Sequence, residues 1–221
     1  MSSELAAPSR TAIDLASSTA ELRAHYQGLL EKFGPDYRAV QWSSAESQQA
    51  RFAVLSEYIG SAASVVDVGS GLGDLLSSLR QSGYTGHYRG LDLLPEFVEH
   101  AGQRHRLDAK ARFELFDALS EEVPKADVVV ASGLFNNRMQ DNWGFLVSVL
   151  QNMFNAANRA VVFNAMSSYV DYEDPHLYYV DPLRVFDHAK RHLSRRVVLR
   201  HDYVVKAGSM PFEFALVILK E

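Results

Sequence analysis

The residues best suited to chemistry sit together at positions 65–74. The apolar run Val65-Val66-Asp67-Val68 carries one acid and stops at Gly69-Ser70-Gly71-Leu72-Gly73-Asp74. An amphipathic segment begins directly afterwards, so the pattern reads as strand, tight turn and helix. Three alternating glycines strip the turn of Cβ atoms, which lets a ligand lie against the backbone beside a helix N-terminus. A branched side chain at position 71 would take the ligand's space. The spacing separates ligand classes. A dinucleotide fingerprint, G-x-G-x-x-G, needs its third glycine at position 74, where this chain has Asp74.

Two further acids extend the pattern. Asp92 closes the strand expected over 86–92 and lies 19 residues beyond Gly73 (92 − 73), the length of one helix and a return strand. A carboxylate there offers two acceptor oxygens to the two hydroxyls of a ribose. NAD-binding folds use an acid at the same place, so Asp92 indicates a nucleoside without saying which. The next strand, 111–116, is followed at once by Asp117-Ala118-Leu119. Three acids at three successive strand ends (Asp67, Asp92, Asp117), joined to Gly-x-Gly-x-Gly, resemble motif I and the downstream acids of the class I S-adenosylmethionine (SAM) methyltransferases. The resemblance covers about residues 40–221. It implies SAM as cofactor, with Asp67, Gly69, Ser70, Gly71 and Gly73 around the turn. Asp92 and Leu93 would meet the ribose, Asp117 and Ala118 the adenine amino group, and Ser132 the cofactor at the end of strand 127–132. An NAD-dependent enzyme and a non-catalytic scaffold on the same fold are the competing readings. The glycine spacing opposes the first and the intact cofactor set the second.

Methyl transfer from a sulfonium is an in-line displacement that needs a positioned nucleophile, sometimes a base, and no metal. Two segments at strand ends are candidates to supply those groups. Ser132-Gly133-Leu134-Phe135-Asn136-Asn137-Arg138 offers Asn136 to orient an acceptor. It lacks the two prolines of the Asn/Asp-Pro-Pro-aromatic motif found in the methyltransferases that act on amino groups of DNA or protein glutamine. The second runs from Asn164 to Tyr179 and carries Tyr169, Tyr172, Tyr178, Tyr179 and His176. At about fifteen residues it is longer than most strand-to-helix loops, and such loops commonly carry function. Its aromatics fit a wall for an apolar or cationic substrate. His176 or a tyrosine such as Tyr172 is the expected base. Upstream, Trp42 and Arg51 are placed to cover the methionine end of the cofactor. Arg51 either meets the methionine carboxylate or is a solvated helix residue.

The elements that must hold these groups follow from periodicity. Helices are expected over 18–33, with Ser18 and Glu21 as a capping box, and over 45–58. Beyond the glycine turn come strand 86–92, helix 96–106, strands 111–116 and 127–132, helix 141–157, strand 159–164, helix 182–193, and strands 196–204 and 212–220. Alternation of this kind predicts an α/β fold, a Rossmann-like seven-stranded, mostly parallel sheet with helices on both faces. The last two strands are joined by too short a turn for a parallel crossover and should pair antiparallel. That terminal hairpin agrees with the methyltransferase fold. We expect one domain, with 1–60 a helical N-terminal cap and 61–221 the SAM-binding core, and residues 1–16 loosely held.

Composition sets the remaining limits. At 221 residues and 47% hydrophobic content the chain suffices for one buried α/β domain. It has no cysteine, so disulfides, thiolate metal sites and a cysteine nucleophile are excluded. No stretch is long and apolar enough for a transmembrane helix, and the N-terminus lacks signal-peptide character. A cytoplasmic enzyme acting on a small-molecule substrate, with no membrane or nucleic-acid partner, is the expectation. The net charge of −5 opposes a phosphate-binding footprint. Lys190, Arg191, Arg195, Arg196 and Arg200 read as a solvated helix end and a charged edge strand. His201 and Tyr203 point to one face of that strand as structural residues. Oligomeric state is not legible.

Overall fold

The computed structural model describes residues 10–221, and side chains from residue 19 onward. Two N-terminal helices, α1 (Arg10–Phe33) and α2 (Ala45–Ser56), precede β1 (Val65–Val68), α3 (Asp74–Gln81), β2 (Tyr88–Asp92), α4 (Pro95–Arg104) and β3 (Ala111–Leu115). There follow β4 (Ala126–Ala131), α5 (Asn142–Ala156), β5 (Ala157–Met166), α6 (Pro182–His192), β6 (Val197–Arg200) and β7 (Glu213–Leu219). One seven-stranded sheet results, ordered β3-β2-β1-β4-β5-β7-β6. The first five strands are parallel, and β7 runs antiparallel between β5 and β6. The terminal hairpin is therefore present as expected.

Side-chain alternation divides the core into two layers. Val66, Val68, Val129, Ala131, Val161 and Phe163 face the buried sides of α5 and α6 (Leu146, Val149, Leu150, Val185, Ala189). Their neighbours Val65, Val128, Val130 and Val162 face α2 and α3 through Phe52, Leu55, Leu75, Leu76 and Leu79. Burial on both faces explains why β1 and β4 are near-continuous apolar runs. The parallel strands also bring their carboxyl ends to one edge, with Val68 opposite Leu91 and Asp67 opposite Val130.

Element ends follow local chemistry. Asp141 caps α5 by accepting from the Gly144 amide at 2.8 Å, and Asp181 with Pro182 opens α6. The expected start of the first helix is corrected. α1 begins at Arg10, so Ser18 lies inside the helix and not at its start, and residues 10–16 are helical. Residues 1–9 lie outside the described part. Among the described residues, no helix is long and apolar enough to cross a membrane.

Candidate functional site

β1 ends because Gly69 adopts φ +77°, and Gly71 and Gly73 continue in the left-handed region at φ +53° and +75°. Only residues without a Cβ take these angles at no steric cost. The turn wraps around the tip of β2. Asp92 accepts from the Gly71 amide at 2.7 Å through Oδ2 and from the Leu94 amide at 3.0 Å through Oδ1. Above this turn lies a cavity of about 370 Å³ lined by residues from every parallel strand end except the exposed edge of β3, together with Phe116, Asp117 and Ala118 just beyond it. Asp67, Gly69, Ser70, Gly71, Asp92, Leu93, Asp117, Ala118, Ser132, Trp42, Arg51 and Asn136 all line it. Ligand crevices in open α/β sheets sit at this edge for the same topological reason.

Other expected residues fall elsewhere. Gly73 is not in the lining; a Cβ there would press on Phe113 and His105 at 2.9–3.0 Å, so it serves helix packing and the entry to α3. A Cβ on Gly71 would meet Val40 Cγ1 at 2.9 Å. The space taken by a larger side chain is thus first that of the segment roofing the turn. Gly71→Val is expected to displace Val40 and weaken binding of S-adenosylhomocysteine (SAH) roughly tenfold or more, about 1.4 kcal/mol. Calorimetric titration checks this, and undiminished affinity would remove Gly71 from the site.

The structure does not bring His176 or Tyr172 to the cavity. The loop after β5 folds back so that Asn137 bridges Leu177, the Arg138 amide donates to the His176 carbonyl at 3.2 Å, and the Tyr178 amide to the Asn136 carbonyl at 2.9 Å. This pairing turns Leu177 into the lining and leaves His176 and Tyr172 exposed.

Several residues of the cavity wall escaped sequence reading. Thr19, Leu22 and Tyr26 of α1 form one side. The Tyr26 hydroxyl accepts from Asn137 Nδ2 at 2.7 Å. Burial, with Asp92's charge adding and the Asn137 bond opposing, pushes this phenol up to about 12. Glu213 of β7 is fully buried and receives Arg51 Nε at 2.8 and 2.9 Å, with Nη2 as a further contact. Arg51 also stacks 4.4 Å from the Trp42 ring centroid, and Trp42 itself fills the space a Cβ on Gly133 would need. Arg51 therefore reaches the cavity as half of a buried ion pair. Nothing in local sequence signals a contact between positions 162 residues apart.

Four buried polar atoms among the lining or beside it have no protein partner: Asp67 Oδ1, Ser70 Oγ, Ser132 Oγ and Asn164 Nδ2. Buried polar groups are seldom left unsatisfied, so these fit the polar atoms of a ligand. Burial pushes the Asp67 carboxyl up to about 7, against the hydrogen bond from Tyr88 and with help from Asp92. Asp92 rises to about 6 despite its amide donors. A carboxyl raised on folding binds more protons native than unfolded, so its contribution to stability falls as pH rises from about 4 to 7. The melting temperature of the ligand-free protein is expected to fall between pH 5 and 7 relative to that of Asp67→Asn. Parallel pH profiles for the two proteins would rule out that burial effect.

Comparison with known proteins agrees with this geometry. Residues 59–203 match a family model described as a methyltransferase domain. A Mycobacterium tuberculosis protein named as a methyltransferase, Rv1506c, is 36% identical over 163 residues, covering 71% of this chain and 93% of its own length. The magnesium protoporphyrin IX methyltransferase of Synechocystis PCC 6803, crystallised with SAH, superposes with TM-score 0.65 at 13% identity, over 92% of this chain and all of that one. A DhpI–SAM–HEP complex superposes with TM-score 0.63 at 15% identity, over 94% and 98%.

Proposed function

We infer the acceptor from one premise: this chain belongs to the methyltransferase-domain family and is a SAM-dependent methyltransferase. Its acceptor is a small molecule methylated at oxygen or nitrogen. The observation that carries this reading is the apolar part of the cavity lining, which includes Leu22, Tyr26, Leu134, Phe145, Met166 and Phe212. An apolar, walled site of this size suits a compact ligand rather than a polymer.

Bound SAM supplies a methyl group on a positively charged sulfur, a good electrophile. The residues then divide the work. Asp92 and Leu93 hold the ribose, and Asp117 with Ala118 the adenine. The amides and hydroxyl of Gly69–Gly71, with Ser132 and Asp67, take the methionine end. Trp42 covers that end and is itself held by Arg51 and Glu213. Asn136 keeps its Oδ1 on the Met166 amide at 3.2 Å, which leaves its Nδ2 to orient the acceptor. The apolar walls exclude water, so the acceptor nucleophile meets the methyl carbon without a competing hydrolysis.

The experiment is transfer of labelled methyl from SAM to fractionated small metabolites, protein and RNA in parallel, preceded by SAH titration with NAD as the control. Label entering only the small-molecule fraction is expected. Label confined to protein or RNA would sink the small-molecule reading.

A further inference from the structure

We propose that the acceptor is an acid, a carboxylic acid or acidic phenol that reacts as its anion, bound by the Tyr26 hydroxyl and the Asn136 amide. This rests on the methyltransferase reading above and names its substrate class. The Tyr26 oxygen accepts from Asn137 Nδ2, and its own O–H has no partner among the described residues. The raised phenol keeps that proton throughout the working pH range, so Tyr26 is a donor and not a base. At Asn136 the amide orientation is set by chemistry: Oδ1 must face the Met166 N–H, so Nδ2 presents its donors instead. Both residues line the cavity, among apolar neighbours.

Four of the five carboxylates in the described lining are held by protein donors, and none of the five is hydrogen-bonded to Tyr26 or Asn136. Asp92 is held by the Gly71 and Leu94 amides, and Asp117 accepts from the Leu119 amide at 3.0 Å. Asp74 is tied to Arg104 and Gln48, and Glu213 to Arg51. Asp67, the fifth, accepts from Tyr88 through Oδ2 and keeps Oδ1 unpartnered within β1. His176 and Tyr172 stand outside the cavity. A protonated alcohol held by Tyr26 and Asn136 would have no carboxylate bonded beside it to take its proton, and an amine would face donors where it needs acceptors. An ionised oxygen finds two donors, and hydrogen bonds to a charged acceptor are the strong ones. The step then balances without proton transfer. A lone pair of the anionic oxygen forms the O–CH₃ bond, the C–S bond breaks with its electrons going to sulfur, and anion plus sulfonium become a neutral ester or ether and a neutral thioether.

The test titrates SAH-loaded protein calorimetrically with matched probes (benzoate, benzyl alcohol and benzylamine; octanoate, octan-1-ol and octylamine), and follows label transfer from SAM to each. Carboxylates are expected to bind at least about tenfold tighter than their matched alcohol and amine and to be the only probes methylated. Tyr26→Phe is expected to weaken carboxylate binding about tenfold with SAH affinity unchanged. Asn136→Asp, which keeps the shape and the bond to Met166 but adds a negative charge, should abolish it. Methylation of an amine or alcohol, an unaffected Tyr26→Phe, or no carboxylate binding in protein that binds SAH would each overturn the assignment. Loss of SAH binding in the unaltered protein would instead strike the cofactor reading, so the two failures are distinguishable.

Discussion

Replacing Arg51 with alanine is expected to destabilise the fold by about 3–5 kcal/mol, the usual cost of leaving one member of a buried ion pair uncompensated. Glu213 has no solvent access to fall back on, since its side chain is completely buried. Arg51 supplies it with two Nε contacts and a further contact through Nη2, while Nη1 donates to the Ser47 carbonyl at 2.8 Å. The variant also removes the platform beneath Trp42. A double variant, Arg51→Met with Glu213→Leu, is expected to recover most of the loss, because two well-packed apolar side chains need no desolvation of charge. Urea unfolding followed by tryptophan fluorescence measures both. A single variant within about 1 kcal/mol of the parent would show that the pair is hydrated and contributes as a surface bridge does.

Asp92→Ala is expected to weaken SAH binding roughly 100-fold, about 2.7 kcal/mol. Two effects add. The ribose loses both charge-assisted acceptors, and the Gly71 amide loses the carboxylate that holds the glycine turn against β2. Asp92→Asn separates them. It keeps one acceptor oxygen and the side-chain shape, so its loss should be intermediate. Calorimetric titration against the parent decides the matter, with circular dichroism to establish that each variant is folded. An unchanged dissociation constant for Asp92→Ala would take the residue out of the cofactor site.

Much of the architecture was legible because it is written in local patterns. Val65–Val68, Ala126–Ala131 and the flanking helices announce themselves by apolar runs and helical spacing; the antiparallel pairing of the last two strands was also expected, though β6 ends at Arg200, short of the expected 204, and residues 201–212 connect it to β7. The start of α1 was misread because Ser18 and Glu21 have the residue types of a capping box without its backbone. Only chain geometry distinguishes an N-cap serine from one in mid-helix. His176 attracted notice by its chemistry and its loop, yet backbone pairing with Arg138 turned it outward. The same pairing carried Leu177, a residue with no chemical signal at all, into the cavity wall.

By itself the sequence determined the class of cofactor and the sheet that carries it. Three glycines and three strand-end acids act through short-range geometry: a turn that needs positive φ and carboxylates at the tips of adjacent parallel strands. Tertiary structure alone completed the cavity wall. It joined Tyr26 to Asn137 across 111 residues and Arg51 to Glu213 across 162. Such pairings leave no periodic trace in the chain, because they depend on how α1, α2 and β7 pack on the finished sheet and not on the spacing of neighbouring residues.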